Sequence, residues 1–270
     1  MNEITSEIMS AITTLIIFIC ISWTFLYIIT KHRKIIDFMA THIHPKKVLI
    51  FMILIGGFAD ILASEFSFPL FGTSVNVRDC IVIFSGIVGG PVAGIGVGLI
   101  GGAYRITGLW WSGFMGNMGY VTALGCGIAT MGAGFVGAWL SKYKNVNVMG
   151  LNGKKVCFVI LIMAIWEVVH LMVINSLLMP FFSDFTFKGA FLFLGKETLF
   201  PMMVGNCFGM LVFLLMAIDT VKNKKIMEIK RIRENLELSE RLVKRYEEYI
   251  GPVAKTIAKG ITEAEKKEQK

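Results

Sequence analysis

Residues 75–108 read VNVRDCIVIFSGIVGGPVAGIGVGLIGGAYRITG, and this stretch decides how the chain folds. It is apolar and rich in glycine, yet it contains Arg78 and Arg105. A charged side chain inside a membrane is costly unless it faces a partner, a cavity or a ligand, so both arginines are functional candidates. The triplet Gly89, Gly90 and Pro91 predicts a break between two short helical runs, because proline cannot continue the preceding turn.

The composition indicates an integral membrane protein. Of the 270 residues, 55% are hydrophobic, 28 are Gly and 21 are Phe, which is far from the soluble globular norm. The formal net charge of +8 comes from basic residues in short loops and near the C-terminus. That placement indicates membrane orientation rather than nucleic-acid binding. The five cysteines have no metal-binding spacing, so we predict no metal and no cofactor.

Apolar runs along the chain predict the membrane spans. They cover residues 11–30, 48–65, 80–88, 92–104, 120–140, 156–179 and 199–218. About twenty apolar residues suffice to cross a bilayer, and the two runs beside Gly89 to Pro91 are shorter than that. The runs fit seven crossings, or five full spans plus a re-entrant hairpin. Either way we predict an all-α, polytopic helical bundle in the plasma membrane.

Charges beside these runs predict the topology. Acidic residues precede the first run and basic residues follow it, which predicts an external N-terminus. Lysines at 46–47, 142–155 and 222–225 predict three cytoplasmic segments and a cytoplasmic C-terminus. Only an odd number of crossings fits these assignments.

The chain becomes charged and helix-favouring after residue 219. Apolar residues then recur at alternating steps of three and four, which is typical of a coiled coil and predicts a homodimer. These positions include Ile229, Ile232, Leu236, Val243, Tyr246 and Ile250. The pair Gly251 and Pro252 predicts a break or kink in this helix.

Several separate motifs, in order along the chain, carry a family resemblance. They are Asn76 with Arg78, the triplet 89–91, the glycine-rich run ending at Arg105, Glu167 with His170, and PMMVGNCFG at 201–209. Together they resemble the membrane input region of LytS-type sensor histidine kinases, the five-transmembrane LytS receptor domain. The resemblance covers about residues 48–218.

The resemblance implies sensing in a two-component system, linked to cell-wall organisation or metabolite signalling. The apolar runs, the resemblance and the change in composition after residue 219 together predict three parts: an N-terminal transmembrane helix with a basic loop (1–47), a receptor domain (48–219) and a cytoplasmic coiled coil with a tail (220–270). All four histidines precede the coiled coil, and no nucleotide-binding loop follows residue 218. We therefore expect no enzymatic activity from this chain, and its downstream partner is not identified. The glycine-rich architecture is also similar to substrate-binding subunits of energy-coupling vitamin transporters, which gives an alternative function.

Arg78 and Arg105 are the first candidates for ligand binding. A guanidinium is planar, permanently charged and suited to bidentate contact with a carboxylate, so two of them predict a small anionic ligand such as a carboxylate. In the alternative interpretation each arginine reaches the lipid headgroups, or Arg78 pairs with Asp79.

Four further residues are candidates for ligand binding, and each also has a purely structural interpretation. Asn76 would orient Arg78 or contact the ligand, or else cap a helix. Glu167 and His170 lie one helical turn apart, so they form a proton-linked pair or a packing contact. Asn206 would bridge a kinked helix towards the site, or make an interhelical hydrogen bond. The break at residues 89–91 would be the hinge at which a ligand shifts the helix arrangement.

Overall fold

The computed structural model describes residues 46–65, 68–70, 73–112, 116–144, 146 and 148–268. The predicted span at residues 11–30 lies outside them. The main helices are α1 (Lys46–Glu65), α2 (Arg78–Ser112), α3 (Gly116–Tyr143), α4 (Gly153–Val168), α5 (Ser176–Phe182), α6 (Phe187–Phe193) and α7 (Leu199–Glu268). A short 3₁₀ turn, Val148–Gly150, precedes α4.

Five helical segments of the described chain are long and apolar enough to cross a membrane. They are Lys46–Glu65, Arg78–Gly108, Ala123–Tyr143, Gly153–Phe181 and Phe187–Ile257. The predicted class, a polytopic helical membrane bundle, is therefore confirmed.

Helix α2 folds back on itself at Gly90. This residue has φ 78° and ψ −175°, a conformation that favours glycine, and Pro91 begins the next helical turn. A Cβ added at Gly94 would lie 2.8 Å from the Gly86 Cα, although eight residues of straight helix would separate them by about 12 Å. The segments 78–89 and 91–112, called here the first and second arms, therefore form an antiparallel hairpin.

The lengths of the two arms differ. The first arm has 12 residues and a length of about 18 Å, well short of the roughly 30 Å hydrocarbon core, whereas the second arm of 22 residues measures about 33 Å. Of the two predicted topologies, the re-entrant hairpin fits these lengths. The reversal also brings Arg78 and Arg105 to the same end of the bundle.

Helix α3 packs against both arms through glycine. A Cβ at Gly86 would lie 2.5 Å from the Gly137 carbonyl carbon, and one at Gly102 would lie 2.6 Å from the Gly127 carbonyl oxygen. Such close backbone approach is typical of membrane helices, where small residues replace bulky ones at the interface. Large side chains fill the core around the first arm; these include Ile83, Ile87, Leu140, Met163, Met210 and Leu214.

Helix α1 runs parallel to the second arm. Gly96 packs against Ile53, and Gly57 packs against Ile100 one to two turns further along. At the end of α1, the Tyr104 hydroxyl donates a hydrogen bond to the Glu65 carboxylate at 3.0 Å. This alignment places the acidic residue Asp60 of α1 beside the second arm.

Two features of the fold were not predicted from the sequence. The strands β1 (Phe68–Leu70) and β2 (Thr73–Val75) form an antiparallel ribbon between α1 and α2. The backbone adopts π-helical geometry at Val169–Asn175 and Leu194–Thr198. Such π-helical segments are frequent at functional sites, and the first of them carries His170.

The chain divides after Val221 into two compact units. In the second unit the helix continues through Pro252 to Glu268, so the predicted break at Gly251 and Pro252 is wrong, while the alternative, a kink, stays a prediction. Proline removes one backbone hydrogen bond, and the turns on either side hold the helix together. The six predicted coiled-coil positions are all exposed in the single chain, and their pairing in a dimer stays a prediction.

Candidate functional site

Arg78 lies at the start of the first arm, and its side chain is fully buried. Its Nε lies 3.6 Å from the Asp79 Oδ1, and its Nη2 donates to the Cys126 carbonyl oxygen at 3.5 Å. Its Nη1 has no hydrogen-bond acceptor among the described residues. A buried guanidinium with an unpaired N–H group is costly, so this position favours a bound acceptor.

Asp79 links three helices of the bundle. Its Oδ1 accepts a hydrogen bond from the Thr130 hydroxyl of α3 at 3.2 Å, and its Oδ2 accepts one from the Trp166 Nε1 of α4 at 3.1 Å. The His170 Nδ1 lies 3.0 Å from the same Oδ2. The predicted alternative, a pair between Arg78 and Asp79, is thus present, and it leaves part of the guanidinium unpaired.

Glu167 and His170 form the pair that their spacing predicted. Both are fully buried, and the His170 Nδ1 lies 3.6 Å from the Glu167 Oε2. One ligand atom each from Asp79, Glu167 and His170 falls within 4.8 Å of the others, so these three residues could hold a metal ion. The guanidinium beside Asp79 adds positive charge there, which disfavours a cation.

Asp60 belongs to this cluster, although sequence reasoning missed it. It is fully buried in α1, and neither of its carboxylate oxygens has a hydrogen-bond donor among the described residues. Its carboxylate lies against Gly101 of the second arm, where a Cβ would overlap it, and it interacts electrostatically with Arg78. The available signal was an acidic residue within the apolar run 48–65, five residues before the Glu65 that ends it.

Arg105 lies one helical turn beyond Gly101 and is half-buried. It interacts electrostatically with Arg78 and with Glu65, and its buried Nε has no acceptor in the described part of the chain. The fold therefore places the two predicted arginines at the same end of the hairpin, and Asp60 lies against the second arm one turn from Arg105.

Asn206 and Asn76 connect α7 to the start of the hairpin. The Asn206 Nδ2 donates to the Asn76 carbonyl oxygen at 3.0 Å, and its Oδ1 accepts from the Cys80 backbone N–H at 3.4 Å. Asn206 therefore makes hydrogen bonds between α7 and the start of α2, as the packing interpretation predicts. A ligand contact from either asparagine stays a prediction.

Comparison with known proteins identifies a family that covers most of the chain. A family model described as 5TMR of 5TMR-LYT matches residues 30–220, which contain all of the candidate site residues. This match confirms the resemblance drawn from the sequence motifs. No curated protein and no solved structure matches the chain.

Proposed function

The chain belongs to the 5TMR-LYT family of five-transmembrane receptor domains, and from that premise we propose that it is the sensory input module of a two-component-type system. Membership of this family supports a role as a membrane sensor. The ligand, the dimer and the route of signalling are our proposals, and each rests on a particular feature of the described residues.

The proposed ligand is a small anion that carries a carboxylate. The observation behind it is that Arg78 and Arg105 lie at the same end of the hairpin, each with a buried N–H group that lacks an acceptor among the described residues. A carboxylate supplies two acceptor oxygens and one negative charge, which suit two guanidinium groups in a site of low dielectric constant. In this role Glu167 and His170 hold Asp79, and Asp79 in turn orients Arg78. They therefore act as positioning residues.

Signalling would pass from the hairpin to the cytoplasmic helix. The ligand would favour one of two helix arrangements about Gly90, and it can shift them only by its differential affinity for the two. The exposed apolar stripe of the C-terminal unit, from Ile229 to Ile250, would carry the change as a homodimeric coiled coil. In this arrangement the N-terminus and the Glu65 end of α1 are both external.

Thermal unfolding of the full chain in lipid nanodiscs tests the ligand class. The panel comprises small carboxylates, their neutral amides and several vitamins. A ligand at a hundred times its dissociation constant adds about 2.7 kcal/mol to the free energy of unfolding. We expect stabilisation by carboxylates and none by the amides.

Matched variants locate the site. Arg105→Gln and Arg78→Gln should each remove the stabilisation by carboxylates, whereas Arg233→Gln, at an exposed position of the C-terminal unit, should leave it unchanged. Stabilisation by vitamins alone would instead support the transporter alternative. A carboxylate effect that survives both substitutions would show that the arginines do not form the site.

A further inference from the structure

The first arm of the hairpin has no cap of its own. Helix α2 begins at Arg78, so the backbone N–H groups of its first turn find no acceptor inside the helix. The preceding residue, Val77, has no polar atom in its side chain, whereas the usual capping residues are Ser, Thr, Asp and Asn. The cap comes from α7 instead, because the Asn206 Oδ1 accepts a hydrogen bond from the Cys80 backbone N–H at 3.4 Å.

The same side chain also holds the backbone on the other side of Arg78. The Asn206 Nδ2 donates to the Asn76 carbonyl oxygen at 3.0 Å and to the Met202 carbonyl oxygen of its own helix at 3.3 Å. Asn206 is buried, and hydrogen bonds are stronger in such a medium of low dielectric constant than in water. Two of its bonds therefore fix the backbone before and after Arg78 relative to α7.

Contacts between α7 and the first arm continue along the whole arm. A Cβ at Gly209 would lie 3.0 Å from the Cys80 Sγ, and the Phe213 ring stacks on the Phe84 ring with their centroids 5.2 Å apart. Ala217 belongs to an apolar cluster with the last turn of the arm. The contacting residues of α7 recur at steps of three and four, so a single face of this helix makes all of these contacts. The helix that continues into the C-terminal unit therefore lies alongside the arm over its full length.

We propose that Asn206 is a positioning residue that links the ligand site to α7. Because it caps the first arm from another helix, Arg78 keeps its place only while α7 keeps its position along its own axis. Such a link is reciprocal, so a ligand bound by Arg78 would stabilise the same position of α7. This proposal rests on the proposed function and adds the contact through which the site acts on the helix that leaves the membrane.

The length of the capping bond makes it sensitive to a small movement of α7. Hydrogen bonds of this kind are about 2.7–3.2 Å long and are lost beyond about 3.5 Å. At 3.4 Å the bond between Cys80 and Asn206 is close to that limit. A displacement of α7 by about 1 Å would break it, and helices in switching proteins shift by about 1–2 Å.

A double-mutant cycle tests the cap without any ligand. Val77→Thr keeps nearly the same side-chain shape and supplies a hydroxyl that can cap the first turn locally. In thermal unfolding of the full chain in nanodiscs, Val77→Thr should therefore be more favourable in Asn206→Ala than in the wild type, by about 2–4 °C in Tm. Val82→Thr is the matched control, because it adds the same hydroxyl beyond the first turn of the arm, and its effect should be the same in both backgrounds.

Carboxylate binding tests the link to the ligand site. Acetate, L-lactate and succinate are titrated into the full chain in nanodiscs, and the dissociation constants are measured by calorimetry. For each acid that binds, Asn206→Ala should raise the dissociation constant about fivefold, and adding Val77→Thr should return it to within about twofold of the wild type, because a local cap restores the position of Arg78. A purely structural role would not be repaired in this way, since the hydrogen bond to Asn76 stays lost. Leu215→Ala, at an exposed position of the same helix, should leave binding unchanged.

The outcomes separate this proposal from the general one. Equal effects of Val77→Thr in the two backgrounds would overturn the cap. Binding that Asn206→Ala leaves within about twofold of the wild type, or that Val77→Thr does not repair, would overturn the link to the site and leave a carboxylate receptor. Absence of binding by all three acids, with unequal effects in the cycle, would overturn the proposed function and the link with it, and would leave Asn206 as a structural cap.

Discussion

Replacing Gly86 by alanine tests whether backbone contact between the first arm and α3 stabilises the bundle. The added Cβ would lie 2.5, 2.7 and 2.9 Å from three backbone atoms of Gly137. Carbon atoms pack at about 3.5–4.0 Å, so the helices would have to separate by about 1 Å. Backbone atoms cannot rotate away as a side chain can. Overpacking of this kind lowers the free energy of unfolding by about 1–3 kcal/mol.

The assay is thermal unfolding of the full chain in nanodiscs, followed by tryptophan fluorescence. For a chain of this size, 1 kcal/mol changes the Tm by about 2–4 °C, so Gly86→Ala should lower the Tm by about 2–12 °C. Gly153→Ala is the matched control, because a Cβ there meets nothing within 4 Å. Equal melting temperatures for the two variants would refute close packing at this interface.

Three further substitutions test other parts of the structure. Asp79→Asn removes the charge beside Arg78 and should lower the free energy of unfolding by about 3–5 kcal/mol, measured by the same thermal assay; a loss below about 1 kcal/mol would contradict its linking role. Asn206→Ala removes the bridge to the start of the hairpin and should cost about 1–2 kcal/mol, so an unchanged Tm would count against that bridge. Leu236→Glu should convert a dimer into a monomer in light scattering, whereas Glu248→Gln, off the apolar stripe, should not; a dimer that persists would argue against the coiled coil.

Local chemistry made part of this molecule predictable. Gly90 and Pro91 predicted the break in the hairpin, because one favours a positive φ and the other cannot continue a helix. The spacing of Glu167 and His170 predicted that they share a helix face. Each of these inferences needs only residues that are close in the sequence.

Contacts between distant segments could not be predicted from the sequence. Asp60 meets Gly101, and Asp79 meets Trp166, only because particular helices lie side by side. The apolar runs alone do not show which helix packs against which, since lipid and protein neighbours favour the same residues. The predicted break at Pro252 failed for the opposite reason. There the strong local signal of a proline was outweighed by the helical turns around it.

The glycine contacts below the arginines close the space between the two arms and α3. At the level of Gly86 and Gly94 the two arms touch each other, and both touch the backbone of α3 at Gly134 and Gly137. At these contacts backbone meets backbone, so rotation of a side chain cannot separate the arms from α3. A solute that reached Arg78 from the Glu65 end would therefore not pass on between the two arms and α3 unless these three backbones parted.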